Sequence, residues 1–337
     1  MWRSVRPLTA LGGALASVVL AIVATPGVAL GHGLVTGPPD AATLVTGWSF
    51  DIQVWLPILL AAWAWLAAVR SVDRAHSGNP VPRSRTAAWL GGLTVLIIAL
   101  ESPLALYDTT LFTAHMLQHL LLTLVAAPLL VLAGPITLLL RISTPEFRKR
   151  RVLPVLHSRL VSFIGHPVVA WLIFMAVMWG THFSPLFDAS LEDPTIHELE
   201  HALFLAAAML FWWPVIGVDP APHRLPHVAR IGYLALGMPF SSFLGLAIFS
   251  ASTVLYHHYA TLQRTWGQSA LTDQGWAGGI MWAGGDLVFL IALIVAVGVW
   301  LKAEEAEGRR VDQQLDREQA ARDRGATTMA AGAGGGE

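Results

Sequence analysis

The sequence predicts an all-α protein, a polytopic membrane helix bundle with seven transmembrane helices plus an N-terminal signal or extra helix. Two observations predict this class. Hydrophobic residues make up 55% of the 337 residues and charged residues only 13%, whereas soluble domains carry roughly 25% charge. The mean hydropathy is +0.58. The chain has no cysteine, which excludes disulfides, thiolate metal sites and cysteine catalysis.

Residues 1–31 are predicted to form either a secretory signal or a first transmembrane helix. Arg3 and Arg6 precede an apolar run over 8–24, and small residues follow it, a pattern typical of a signal cleaved before His32. An uncleaved helix is equally consistent with the sequence, because the apolar segment is long enough to span a bilayer.

Seven apolar segments of spanning length follow, inside a predicted membrane domain over residues 32–301. They are 49–69, 87–107, 111–135, 166–182, 200–217, 230–250 and 278–301. Proline and glycine interrupt several of them, which neighbouring helices in a membrane bundle can accommodate. Residues 302–337 are predicted to form a charged tail whose Gly/Ala-rich end is disordered.

Basic residues alternate between the connections of these spans. They are concentrated in 70–86, 141–165, 218–230 and the tail, whereas Arg264 is the single basic residue of the other connections. Cytoplasmic loops carry an excess of Lys and Arg. We therefore expect the C-terminus in the cytoplasm and the connections 107–111, 183–199 and 251–277 outside. The basic residues are scattered among short loops, so no nucleic-acid partner is indicated.

Two histidine pairs stand near the outer ends of apolar spans. His115 and His119, like His197 and His201, are four residues apart and share a helix face, and His182 ends a third span. Ionisable residues in membrane spans are costly and face the protein interior. Imidazole is the commonest protein metal ligand and suits zinc, copper and iron. We expect a metal or haem site here; a structural polar network is the alternative.

Neighbouring side chains bear on the identity of the metal. Met116 adds a thioether, which selects Cu(I), although core packing is its simpler role. Glu198 and Glu200 adjoin the second histidine pair, where either could orient an imidazole; for Glu198 a favourable charge in a first helical turn is the alternative. Glu101 and Asp286 lie within spans, where acids mark ion paths or partner a cation.

Four runs of the sequence resemble the CtaG-type cytochrome c oxidase assembly factors, which are seven-helix proteins of the bacterial plasma membrane. The runs are FTAHMLQHLLLTLVAAPLLVLAGP, WGTHFSPLFDASLEDPTIHELEHALF, YLALGMPFSSFLGLAIFSASTVLYHHYA and DQGWAGGIMWAGGDLVFLIALIV, within about 45–301. The resemblance implies that the family's histidine positions are His115, His119, His182, His197, His201 and, of the last pair, His257 or His258.

The resemblance implies a role in copper delivery to terminal oxidases. We expect a non-enzymatic, copper-binding membrane protein whose site lies near the outer face, with a cytochrome c oxidase subunit or a copper donor protein as its partner. Two alternatives belong to other classes. One is a zinc-dependent intramembrane hydrolase with Glu198 or Glu200 as general base, and the other is a b-type haem electron carrier. Transport is a further alternative.

Overall fold

The computed structural model describes the backbone of residues 37–333 and the side chains of residues 37–319. The predicted signal or first helix, 1–31, lies outside these residues. In chain order the described α-helices begin with α1 (Ala41–Thr46), α2 (Ile52–Ala75), α3 (Arg83–Glu101), α4 (Pro103–Tyr107), α5 (Phe112–Leu120), α6 (Ala127–Ala133), α7 (Pro135–Ile142) and α8 (Pro145–Phe147). They continue with α9 (Leu153–Leu156), α10 (Arg159–Ile164), α11 (Pro167–His182), α12 (Leu186–Glu192), α13 (Pro194–Ile216), α14 (His227–Phe249), α15 (His257–Thr261) and α16 (Ala270–Ala333).

The helices confirm the predicted fold class. Six of them, counting consecutive helices as one span where they continue each other, are long and apolar enough to cross a membrane in the described part of the chain. Helices α11 and α12 form a seventh span if they are taken together, although they are bent by 67°. Helix α16 runs on through the charged tail and ends at Ala333, within the Gly/Ala-rich segment.

Helix α13 begins six residues earlier than the predicted segment 200–217, because its start is capped. The Asp193 carboxylate accepts hydrogen bonds from the backbone N–H groups of Thr195, at 2.7 Å, and Ile196, at 3.3 Å. Pro194 occupies the first helical position, where its missing N–H is not needed. The polar residues that made this turn resemble a loop are therefore helical, and both histidines of the second pair lie on one helix.

The connections meet in two groups, at opposite ends of the bundle. We call the group formed by 70–86, 141–165 and 218–230 the basic end, where Arg141 donates to the Asn79 carbonyl. We call the group formed by 102–111, 183–193 and 250–269 the histidine end. There the Nε2 of His258 donates to the Thr109 carbonyl at 2.8 Å. These contacts reproduce the two sets of connections that basic residues distinguish in the sequence.

A distant aspartate caps the start of α5 at the histidine end. The Asp273 carboxylate, from the first turn of α16, accepts from the backbone N–H of Phe112 at 2.9 Å and from the Thr113 hydroxyl at 2.6 Å. Arg264 lies 3.6 Å from the same carboxylate. A negative charge at a helix N-terminus satisfies N–H groups that have no partner within the helix. This cap fixes the position along the bundle of the helix that carries the first histidine pair.

Helices α14 and α16 touch through their backbones at two glycines. A Cβ atom on Gly278 would lie 2.5 Å from the Phe249 nitrogen, and one on Gly245 would lie 2.7 Å from the Trp282 nitrogen. Small residues permit such close approach of membrane helices, where van der Waals packing drives association.

We expect Gly278→Ala to destabilise the protein, because backbone atoms of α14 cannot move away as a side chain would. Overpacking of this kind costs about 1–3 kcal/mol, which a lower midpoint of thermal unfolding in detergent would record. Gly298→Ala is the matched control, since Gly298 lies on the same helix and a methyl group added there would have no atom within 4 Å. An unchanged midpoint for Gly278→Ala would contradict the close packing.

Candidate metal centre

Five histidines from three helices form one buried cluster near the histidine end. Helix α5 supplies His115 and His119, α11 supplies His182 at its last residue, and α13 supplies His197 and His201. All five are between 0% and 6% exposed. The structure thus brings together the two predicted pairs and the predicted fifth histidine.

The ring distances show how tightly the cluster is packed. The His115 and His197 rings stack face to face, with centroids 5.1 Å apart and an angle of 5° between their planes. The His119 ring lies edge-on to His201 at 5.6 Å and to His182 at 6.2 Å. Within each pair the centroids are 4.3 Å apart. The imidazoles therefore surround a common volume rather than facing different neighbours.

The carboxylate of Glu200 lies inside this cluster. Its Oε2 is 3.8 Å from the Nε2 of His115 and 3.9 Å from the Nε2 of His119. One ligand atom from each of His115, His197 and Glu200 lies within 4.8 Å of the other two. Bonds from zinc or copper to nitrogen and oxygen are about 2.0–2.2 Å long, so shifts of roughly 0.7 Å would let the three atoms bind one ion.

Several polar atoms of the cluster are buried without a hydrogen-bond partner. They are both ring nitrogens of His115 and of His119, the Nε2 of His182, and both carboxylate oxygens of Glu200. Buried polar atoms in native proteins are nearly always paired, because leaving them unpaired is costly. A concentration of unpaired lone pairs at one point is the arrangement that a bound cation would satisfy.

One hydrogen bond defines the ligand atom of His182. Its Nδ1 lies 2.7 Å from the carbonyl oxygen of Met178, and a carbonyl only accepts, so Nδ1 carries the hydrogen. The lone pair is then on Nε2, which is buried and has no hydrogen-bond partner. Metal-binding histidines commonly donate their other ring N–H to a backbone carbonyl in this way.

A π-helical turn follows the first histidine pair. It covers Leu121–Ala126 and ends just before Pro128, which has no N–H and whose ring would collide with the preceding turn of a regular α-helix. The Thr123 hydroxyl donates to the His119 carbonyl at 2.6 Å, and the Trp212 indole N–H donates to the Thr123 carbonyl at 2.9 Å. The wide turn is thus tied to α13, and π turns occur frequently at functional sites.

Aromatic rings that were not predicted from the sequence lie against the cluster. The Phe187 ring, from α12, lies 5.0 Å from the His115 ring and 5.4 Å from the His182 ring. The Phe204 ring stacks on His119 at 4.2 Å. Phe204 follows His197 by seven residues, a spacing that places both on one helix face. No comparable signal points to Phe187, because the bend between α11 and α12 decides where its ring lies.

Phe187 belongs to an aromatic cap, which we define as Phe112, Phe187 and Tyr256. Phe187 contacts Tyr256 with centroids 4.2 Å apart, and Phe112 contacts Tyr256 at 4.8 Å. Burial raises the pKa of Tyr256, and the charges of Asp188 and Glu200 add to this effect. The hydroxyl therefore stays protonated, and the cap carries no charge.

The other residues predicted for the site lie in different surroundings. Met116 is buried in the hydrophobic core beside the cluster. Glu198 is half-buried, about 100° round α13 from His197. His257 is exposed, and the His258 ring bonds to the Thr109 carbonyl; the described ring contacts among the five clustered histidines include neither of them.

The two acids predicted within other spans, Glu101 and Asp286, hydrogen-bond to neighbouring segments. Glu101 accepts from the Ser49 hydroxyl at 2.9 Å and from the Asp51 backbone N–H at 3.1 Å, so it holds the start of α2. Asp286 accepts from the Ser242 hydroxyl and links α16 to α14. Both acids thus link one helix to another segment, and their role in an ion path or as partner of a cation stays a prediction.

Comparison with known proteins identifies the family of the chain. The family model described as cytochrome c oxidase caa3 assembly factor, Caa3_CtaG, matches residues 63–303. Uncharacterized proteins of Mycobacterium bovis and Mycobacterium tuberculosis are each 33% identical over 286 residues, and one of Mycobacterium leprae is 31% identical. These alignments cover 83% of this chain but 43% of each relative, so the chain spans less than half of their length. No solved structure matches the chain. The chain belongs to the cytochrome c oxidase caa3 assembly factor family.

Proposed function

We propose that the protein binds copper in the histidine cluster and supports its delivery to cytochrome c oxidase, without catalysing a reaction. The observation that carries this proposal is the set of buried, unpaired imidazole nitrogens around Glu200. A site without thiolates, rich in imidazole, suits copper among the metals that an oxidase assembly factor would handle. Membership of the assembly factor family supports the oxidase as the destination.

The number of imidazoles favours transfer over permanent storage. Metal sites commonly use three or four protein ligands, whereas five imidazoles and a carboxylate converge here. A surplus of ligands lets an ion change partners one bond at a time, so that it never loses its whole coordination shell. Ligand exchange of this kind would accept copper from a donor protein and pass it to an oxidase subunit.

The orientation predicted from the basic residues supports loading from outside the cell. Arginines are concentrated at the basic end, and such residues favour the cytoplasmic side. The histidine end would then face outward from the plasma membrane, with the C-terminus in the cytoplasm. The cluster lies within the spans rather than in the connections, a depth at which an ion is shielded from water during transfer.

Metal content tests the proposal directly. We expect the purified protein to retain about one copper ion per chain, and His115→Ala/His119→Ala to bind copper at least about tenfold more weakly, because two ligands are lost. Elemental analysis and titration with a Cu(I) chelator measure both quantities. His257→Ala is the matched control, since His257 is an exposed histidine of the same end and should leave affinity unchanged.

Other outcomes would contradict the proposal. Zinc retained in place of copper would favour the hydrolase interpretation, and a Soret band would identify haem. Equal copper affinity in the parent and the double variant would exclude the cluster as the site. If the oxidase had its normal copper content in cells that express only the double variant, the protein would not be needed for copper delivery, even if it binds copper.

The aromatic rings over the cluster are expected to limit access to it. Phe187 covers two of the imidazoles, so Phe187→Leu should open a path and speed the loss of copper to a chelator. The loss of contacts worth about 1 kcal/mol corresponds to a roughly fivefold faster loss of copper. Phe183→Leu, at an exposed position of the same connection, should not change the rate. Equal rates in all three proteins would show that copper leaves by another path.

A further inference from the structure

A second group of histidines lines a cavity at the opposite, basic end. The cavity has a volume of about 570 Å³ and lies between α10, the start of α11 and the connection before α14. It is lined by His157, Arg159, Ser162, Phe163, His166, Val169 and His223. The rings of His166 and His223 lie 4.9 Å apart, and the Ser162 hydroxyl is 3.4 Å from the Nε2 of His223.

The charge of this cavity favours an anion over a metal cation. None of the lining residues, all within the described part of the chain, is acidic, and Arg159 brings a permanent positive charge. A guanidinium, imidazole N–H groups and a hydroxyl together are the donors that bind phosphate oxygens.

The surface beside the cavity is apolar. Leu160 and Phe163 of α10 and Val168 of α11 are 67%, 64% and 59% exposed. They lie where the span of α11 begins, at the depth of the membrane interface. A ligand that carries phosphate and hydrocarbon would satisfy both surfaces, because its phosphate would meet the donors while its chains lie against these side chains.

We propose that this cavity binds the phosphate headgroup of an anionic membrane lipid. Basic pockets at the cytoplasmic ends of membrane helices bind such headgroups. A free phosphate ion shares the recognised chemistry but leaves the exposed apolar side chains of α10 without a role. This site is separate from the histidine cluster, so the proposal stands independently of copper binding.

Native mass spectrometry of the detergent-solubilised protein tests the proposal. We expect phosphatidylglycerol to bind more tightly than phosphatidylcholine with the same acyl chains. Arg159→Gln should weaken phosphatidylglycerol binding about fivefold, since one basic residue contributes about that factor near an anionic surface, and His223→Gln should weaken it in the same direction. Arg151→Gln is the matched control, because Arg151 is an exposed arginine of the same connection that does not line the cavity.

The alternatives give different results. Equal binding of the two lipids, or an equal loss in Arg151→Gln, would overturn the proposal, since general surface charge would then explain the data. Displacement of phosphatidylglycerol by millimolar inorganic phosphate would support phosphate recognition. If inorganic phosphate bound to the parent and phosphatidylglycerol did not, the lipid would be excluded as the source of that phosphate.

Discussion

The burial of five imidazoles and a carboxylate at one point, inside an apolar helix bundle, is the constraint on which the rest of the structure depends. Each of these groups would lose hydrogen bonds to water on burial, and several gain none in return. Such a cluster persists only if the surrounding helices hold it firmly. The rest of the fold shows how this is achieved, through contacts that join distant parts of the chain.

The helices that carry the histidines are fixed by polar groups outside the cluster. Asp273 holds the start of α5, Asp193 caps α13, and the Gln118 side chain donates to the Ala99 carbonyl at 2.9 Å, which binds α5 to α3. Each of these hydrogen bonds restricts the sliding of one helix along its axis or its rotation about that axis. Because the imidazoles project from three helices, a small shift of any one helix would separate side chains that now lie together in the cluster.

Sequence spacing was sufficient to predict the histidine pairs, but not the acid that joins them. His115 with His119 and His197 with His201 follow from the four-residue period of a helix, whichever way the helices pack. The choice between Glu198 and Glu200 needs the rotation of α13 about its axis, which its packing against α6, α11 and the π-helical turn determines. The local sequence pattern does not contain this rotation, so it could not identify Glu200 as the clustered acid.

Contacts between distant parts of the chain also explain why the hydrogen-bond partners of Glu101 were not predicted. Glu101 has the burial expected of a functional acid in a membrane span, yet its partners are Ser49 and the backbone of Asp51. Those residues precede it by about 50 positions, so no local pattern reveals the pairing. Alternation of basic residues, by contrast, predicted the two groups of connections, because it depends on the order of the spans and not on their packing.

His257 and His258 link two other segments of the histidine end, the short helix α12 and the segment just before α5. Their backbone N–H groups donate to the Asp188 carboxylate at 3.3 and 3.0 Å, and Asp188 follows Phe187 in α12. The His258 ring meanwhile bonds to the Thr109 carbonyl, next to the start of α5. These two histidines thus hold the short helix that places Phe187 over the cluster. The histidine positions that the resemblance implies thus include, besides the five clustered rings, residues whose backbone holds the aromatic cover of the cluster.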